Sequence, residues 1–383
     1  MSGSGERDTI RFSQPVMAGR ELDYVREALG QGKLSGDGPF TRRCQTWLAT
    51  TLNASPVYLT HSATAALELS ALLTDIGPGD EVIMPSFTFV SCANAIALRR
   101  ATPVFVDIRS DTINIDPDQV ASAITARTRA IVVVHYAGVP CDMGPILALA
   151  KRHDLIVIED AAQALMASYR GKAAGTLGHF GVFSFHDTKN VISGEGGAII
   201  VNDTRFAERA EIVGRYGTDR RAFDRGERQL YTWLDLGSAF APSEVVAAVL
   251  LAQLERTEEI TRTRRALWAR YHSAFAALEA AGIARRPVIP DDVVHNAHIY
   301  YLLLSDQDAR DRFIATMRDG GIVTPFHFVP LDDSPGGRRY ARAHGELPVT
   351  RAAAQRLVRL PLWSGLEPVQ DRVIESTLTA LGR

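Results

Sequence analysis

Between residues 57 and 201 short apolar runs recur, and most are followed by a segment of helical character. Val57 to Leu59 reads as a strand, and Thr64 to Leu73, rich in Ala and Leu, as a helix. After the turn Gly77-Pro-Gly-Asp80, Glu81 to Met84 reads as a strand, Ala93 to Arg100 as a helix and Pro103 to Asp107 as a strand. Ala130 to His135 and Leu155 to Ile158 read as two more strands, with a helix from Met143 to His153 between them. These runs are apolar throughout instead of alternating, the pattern of strands buried on both faces. The strand-helix rhythm predicts an α/β fold with a mostly parallel sheet covered by helices. From about Pro242 the pattern changes. Ser243 to Tyr271 reads as one long helix leading into a smaller α+β part. There, Ile299 to Leu304 and Ile322 to Val329 read as strands, and Ala309 to Arg318, Arg351 to Val358 and Val369 to Leu381 as helices. The expected division is a large domain over 10–245 and a small one over 246–383 that begins with the connecting helix.

In parallel sheets ligands lie beyond the carboxyl ends of the strands, so polar residues just past a strand carry the candidate chemistry. Asp160 follows the strand Leu155 to Ile158. A carboxylate there can pair with a protonated heterocyclic nitrogen, or it can cap the next helix. Lys189 lies between two apolar segments, in Phe183-Ser-Phe-His-Asp-Thr-Lys189, just before the loop Gly194-Glu-Gly-Gly197. Burial there would lower the lysine pKa and make its amine nucleophilic; the plain alternative is a solvated loop lysine. Together, Asp160 and Lys189 meet the needs of pyridoxal phosphate, whose charged ring nitrogen wants a carboxylate partner. Its phosphate wants donors. Ser62, Ala63 and Thr64 open a helix directly after a strand, where backbone N–H groups bind anions, and Ser184 can add a hydroxyl. An ordinary helix cap explains Ser62 equally well. Phe87 and Phe89 offer an aromatic face, or belong to the core.

Composition narrows the class. The chain has 383 residues, 46% hydrophobic and 22% charged, with a formal net charge of -2. These values are ordinary for a globular protein and leave no electrostatic footprint for nucleic acid and no polybasic membrane patch. The one local exception is the basic cluster from Arg215 to Arg228. No apolar run approaches the ~20 residues of a membrane span. Met1 to Asp8 is polar and lacks the apolar core of a signal peptide. Cys44, Cys92 and Cys141 show no metal-ligand spacing and read as free thiols of a reducing, cytoplasmic compartment. No metal is expected.

Three motifs carry a resemblance. Pro78-Gly-Asp-Glu-Val-Ile-Met-Pro-Ser-Phe-Thr-Phe-Val90, Val157-Ile-Glu-Asp-Ala-Ala-Gln163 and Phe183-Ser-Phe-His-Asp-Thr-Lys-Asn190, the last followed by Gly194 to Gly197, resemble the DegT/DnrJ/EryC1/StrS sugar aminotransferases. That family is a branch of the fold-type I pyridoxal-phosphate enzymes, and the resemblance runs from about Ile10 to Leu381. Val134 to Gly138, His186 to Asn190 and Asn296-Ala-His298 look most similar to the dTDP-4-amino-4,6-dideoxygalactose transaminase group. The resemblance implies that Lys189 bonds the cofactor aldehyde and moves protons, that Asp160 faces the ring nitrogen, and that Gln163 lies against the 3-hydroxyl. It places phosphate contacts on Ser62, Ala63, Thr64 and Ser184 and the stacking ring on Phe89. The chain departs from the family at Ala63, commonly glycine, and at Ala239, commonly an asparagine that reaches the neighbouring subunit's phosphate; Ser238 or a water would substitute there. His327-Phe-Val-Pro-Leu-Asp332 also departs from the usual His-Tyr-x-Pro-Leu-His.

The implied activity is transamination of a nucleotide-linked 4-keto-6-deoxyhexose, dTDP-4-keto-6-deoxyglucose in first place, with L-glutamate as donor. A 3-ketosugar aminotransferase and a non-catalytic amino-sugar sensor are the alternatives. Lys189 argues against a dehydratase, in which histidine replaces it. The expected assembly is a homodimer with shared active sites. Arg220, Arg221 and His327 are the expected substrate contacts, because a diphosphate favours the arginine fork.

Overall fold

The computed structural model describes residues 9–382; the polar tail Met1 to Asp8 lies outside the described residues. Seven strands come from the first part of the chain: β1 (Val57–Thr60), β2 (Glu81–Pro85), β3 (Thr102–Val106), β4 (Thr128–Val134), β5 (Ile156–Asp160), then the short β6 (Ser168–Tyr169) and β7 (Lys172–Ala173). β8 (Phe180–Ser184), β9 (Gly197–Val201), β10 (Val293–Val294), β11 (Tyr300–Leu303), β12 (Arg342–Ala343) and β13 (Leu357–Leu360) follow. Eight of them form one sheet in the order β1-β9-β8-β5-β4-β2-β3-β12. β9 alone in that sheet runs against its neighbours; the other pairings are parallel. The α/β expectation and the mostly parallel sheet are both observed.

Alternate residues of the buried strands explain the layering. Val82, Met84, Val132, Val182 and Ile199 point to one face, under the helices Ala63–Leu73 and Ser91–Ala97. Ile83, Val104, Val133 and Val157 point to the other, under Pro117–Ala123 and Met143–His153. Nearer β1, that second face carries Leu59, Phe183 and Ile200 beneath the helices Glu21–Gly30, Pro39–Leu52 and Glu244–Leu254. β11 and β13 pair as a small two-stranded sheet. Tyr300, Leu302, Val358 and Leu360 face the small part's own core. Tyr301, Leu303 and Leu357 face Phe87, Ile113 and Tyr136 of the large part.

Three expectations are corrected. The helix expected over Ser243 to Tyr271 is two helices, Glu244–Leu254 and Thr257–Ala274. The first is apolar all round and sits in the large core, while the second has a polar face and packs on the small part. The chain must change direction between these environments, and it does so at Glu255 and Arg256. The helix Glu244–Leu254 thus packs with the large core and Thr257–Ala274 with the small part. The strand expected over Ile322 to Val329 is irregular: Ile322 makes a single bridge to Ile10, and Pro325 and Pro330 lack the N–H a ladder needs. The helix expected to reach Val358 stops at Arg356. Leu357 to Leu360 precede Pro361, which disfavours helix before it, and pair with β11 instead.

Candidate active site

Asp160 is the last residue of β5, between Val134 of β4 and Val182 of β8. It is buried, and its Oδ1 accepts the Ala162 N–H at 3.0 Å. Its Oδ2 accepts the Cys92 thiol at 3.0 Å. No helix follows, since residues 161–166 turn instead; the helix-cap alternative falls. Glu159, one position earlier, points to the opposite face. There it accepts the N–H groups of Gly175, Leu177 and Gly178 and bonds His135 Nε2 at 2.9 Å.

Lys189 lies in the turn after β8, its own N–H donating to His186 at 2.9 Å. The side chain is half-buried, and Nζ makes neither hydrogen bond nor ion pair with the described residues. Burial lowers its pKa; the Asp160 carboxylate pulls the other way, and the Arg359 guanidinium adds to the lowering. Lys189 is thus a half-buried lysine of the turn and not a fully exposed one.

The phosphate candidates come together through sheet register. Thr60 of β1 stands opposite Gly197 of β9, which stands opposite Ser184 of β8. A Cβ on Gly197 would come within 2.4 Å of the Ser62 carbonyl carbon and 2.5 Å of the Ala63 nitrogen. Only glycine lets β9 approach the helix start that closely. Ser62 caps that helix, its Oγ accepting the Ala65 N–H at 3.1 Å, which leaves the Ala63 and Thr64 N–H groups without a side-chain acceptor. The Thr64 and Ser91 hydroxyls are 2.7 Å apart. Ser62, Ala63, Thr64 and Ser184 thus rim one cup at the carboxyl edge.

Gln163 is buried, and its Oε1 accepts the Ala137 N–H at 2.8 Å. That bond fixes the amide's orientation and leaves Nε2 as a donor with no protein acceptor. Of the two aromatic candidates, Phe87 is core and Phe89 is 60% exposed, a free ring face. His327 Nδ1 meets the Tyr136 hydroxyl at 2.7 Å, and its ring stacks on Phe328 at 3.7 Å. Burial lowers its pKa well below the ordinary value, with the charges of Arg359 and Lys189 contributing.

Arg220 and Arg221 are not among the groups that act on Lys189. Arg220 is exposed and bonds Asp224 at 2.7 Å. Arg221 bonds Asp37 at 2.8 Å and lies over the Tyr58 ring. Tyr58 is opposite Ile199, two residues down from the carboxyl edge marked by Thr60 and Gly197. Ser238 is exposed, its carbonyl accepting the Tyr216 N–H at 3.1 Å.

Four residues belong near Lys189 that the pattern did not single out as site residues. Asn190 donates Nδ2 to the Asn296 carbonyl at 3.0 Å and takes His298 Nδ1 on its Oδ1 at 3.0 Å. His298 is neutral because it is buried, and Lys189, Arg264, His327 and Arg359 lower its pKa further. Asn190 and His298 stood inside quoted motifs, so a signal existed. Arg264 and Arg359 stood in unremarkable helical and apolar stretches, far off in sequence.

A family model for the DegT/DnrJ/EryC1/StrS aminotransferases matches residues 15–378. The chain belongs to that family. It is 34% identical over 376 residues to the spore coat polysaccharide biosynthesis protein SpsC of Bacillus subtilis, covering 96% of both chains. Its fold matches DesV of S. venezuelae, solved in complex with a ketimine intermediate, at TM-score 0.86 and 33% identity over 95% of each chain. It matches the sugar aminotransferase CalS13 of Micromonospora echinospora at TM-score 0.88 and 28% identity, covering 97% of this chain and 99% of that one. The family comprises sugar aminotransferases that work with pyridoxal phosphate, and this chain is one of its enzymes. Its residues fit the cofactor: a buried carboxylate at a strand end, an unpartnered amine of lowered pKa, and a cup of hydroxyls and N–H groups rimmed by a required glycine. Among the described residues no helix is long and apolar enough to cross a membrane.

Proposed function

We propose that the enzyme transfers an amino group from L-glutamate to a nucleotide-linked 4-keto-6-deoxyhexose, with dTDP-4-keto-6-deoxyglucose as first candidate. The observation that carries the amino-transfer reading is Lys189, a half-buried amine of lowered pKa with no protein partner, in one site with Asp160. The sugar assignment rests on the motifs Val134 to Gly138 and Asn296 to His298 and on the sugar aminotransferases the chain resembles.

Bound pyridoxal phosphate supplies an electron sink beside the carbon that carries nitrogen. Lys189 Nζ takes the proton from that carbon in the donor and later returns one to the sugar carbon, so one residue serves as base and acid. Asp160 holds a negative charge toward the ring nitrogen. Ser62, Ala63, Thr64 and Ser184 hold the phosphate, and Gln163 Nε2 donates to the ring's oxygen. Phe89 stacks on the ring. His327, neutral and braced by Tyr136, borders the substrate side as a hydrogen-bonding group. Arg220 and Arg221 are the proposed diphosphate contacts, and each would exchange its present carboxylate, Asp224 or Asp37, for the ligand.

We further propose a homodimer with sites built from both subunits. Leu230, Tyr231, Trp233, Leu234 and Leu236 are all exposed on one segment. A patch of that kind marks an interface, and the same segment carries Ser238. The cytoplasmic placement rests on three buried, unpaired cysteines. The decisive experiment offers a panel of nucleotide ketosugars with glutamate and determines product structures. A 4-amino-4,6-dideoxyhexose product is expected. Amination only at C3 would replace this reading with the 3-ketosugar one.

A further inference from the structure

The cysteines Cys44, Cys92 and Cys141 are all buried and unpaired, yet their thiols do not meet the same kind of acceptor. Cys44 donates to the Ala247 carbonyl and Cys141 to the Val134 carbonyl, each at 3.2 Å. Cys92 instead donates to Oδ2 of Asp160 at 3.0 Å, the carboxylate that ends β5. Burial, and then the charge of Asp160, push the Cys92 thiol well above its ordinary pKa. It therefore stays protonated and acts as a donor, not as a thiolate nucleophile.

Behind the sulfur stands Thr88, also buried, with its Oγ1 3.5 Å away. The thiol proton is committed to Asp160, so the hydroxyl donates to the sulfur. A directed chain results, from Thr88 through Cys92 to Asp160, and linked hydrogen bonds polarise one another. Cys92 sits in the first turn of the helix Ser91–Ala97. The residue before it, Ser91, has its hydroxyl 2.7 Å from that of Thr64 in the phosphate cup. One helical turn thus touches the groups proposed for both ends of the cofactor. Asp160 takes a further bond on Oδ1 from the Ala162 N–H. An ionised carboxylate offers about four acceptor positions, so room remains for a ring N–H, and the bonds already made fix the plane in which it approaches.

We propose that Cys92 is a positioning residue for amino transfer, its thiol proton holding Asp160 ionised and aimed at the cofactor's ring nitrogen. Cys92 acts through Asp160, so this role stands on the reading that puts the ring nitrogen there. It gives a purpose to a buried thiol that neither packs against apolar atoms alone nor reacts.

One test needs no turnover. The S–H stretch of a thiol lies in an infrared window free of other protein bands, and its frequency falls as its hydrogen bond strengthens. In the apoprotein, the band lost in Cys92→Ser is that of Cys92. It should lie below those of Cys44 and Cys141, because bonds to an ionised acceptor are stronger than bonds to a neutral carbonyl. Asp160→Asn should raise its frequency. Loading wild type with pyridoxal phosphate should raise it too, since a ring N–H then shares the carboxylate. The second test uses the loaded enzyme with glutamate and the ketosugar that the panel identifies. Cys92→Ala and Cys92→Ser differ by one hydroxyl. In Cys92→Ala kcat should fall about fivefold, the size expected when a typical hydrogen bond is lost, with both KM values within about twofold of wild type. Cys92→Ser restores a donor and should recover most of that loss, whereas a packing role predicts that the apolar alanine does at least as well. A band unmoved by Asp160→Asn or by cofactor loading, or Cys92→Ala as fast as Cys92→Ser, would overturn the proposal. Should Cys92→Ala fail to fold, the spectra of wild type, Cys92→Ser and Asp160→Asn decide alone. Full turnover in Asp160→Asn would instead strike the ring-nitrogen reading, and the apoprotein band reads the thiol bond apart from it.

Discussion

At the scale of single residues, the site turns on charges set by burial and partners. Asp160 has one oxygen on Cys92 and the other on Ala162, so its carboxylate is oriented before any ligand arrives. Asp160→Asn keeps the shape and removes the charge. Losing one partner of a buried ion pair costs roughly 3–5 kcal/mol, so kcat should fall by at least a hundredfold with the melting temperature little changed. Wild-type turnover in that variant would remove Asp160 from the ring nitrogen. Asp160 could be singled out in the sequence because it stands at the carboxyl end of an apolar strand, where a parallel sheet places its ligands. Arg264 and Arg359 were not legible. A helical arginine reads as solvent-facing from its sequence, and only the fold shows that Arg264 is buried on two backbone carbonyls with no carboxylate of the described residues beside it. In the basic cluster, Arg215, Arg220, Arg221, Arg225 and Arg228 each find a carboxylate of the same chain, a pairing that the sequence does not show.

At the scale of elements, the phosphate cup depends on how closely β9 packs on the helix Ala63–Leu73. Gly197→Ala places a methyl group against the Ser62 and Ala63 backbone, which cannot swing aside as a side chain would. Overpacking of this kind costs about 1–3 kcal/mol. The variant should melt lower and bind pyridoxal phosphate more weakly, and an unchanged affinity would remove the cup from the phosphate. The strands of the large sheet were readable because runs buried on both faces are apolar throughout. The break at Glu255 was not, because both halves are built from good helix formers and neither Gly nor Pro marks the turn. β13 was missed because its four residues continue an amphipathic helix without a polar gap. Its partner β11 lies more than fifty residues earlier, beyond the reach of a local pattern.

At the scale of the whole molecule, histidines govern the acid limit of stability. Burial lowers the pKa of His179, His272, His295, His298 and His327. Burial also acts to lower that of His135, but the bonds to Cys141 and Glu159 outweigh it and raise the value to about 10. A histidine of lowered pKa binds fewer protons folded than unfolded, so its contribution to stability is lost as pH falls below the unfolded value near 6.5. A raised one contributes the other way. Five against one, the melting temperature of the apoprotein should fall from pH 7 to pH 5; a rise over that range would contradict the burial of these rings. The proposed dimer would bury the exposed segment around Trp233. Trp233→Glu should shift sedimentation from dimer toward monomer and lower activity with it, and an active wild-type monomer would refute shared sites. The class of fold was legible at this scale from rhythm alone, whereas the small part's docking on Phe87 and Tyr136 was not, since it joins residues from opposite ends of the chain. All of this depends on one assignment, the lysine that carries the cofactor. The most direct measurement is borohydride reduction of the pyridoxal-phosphate-loaded enzyme, followed by proteolysis and mass mapping of the pyridoxyl group. The account predicts a single labelled peptide, modified at Lys189 and absent from Lys189→Ala; a pyridoxyl group on Lys172 or Lys151, or an unchanged label in Lys189→Ala, would contradict it.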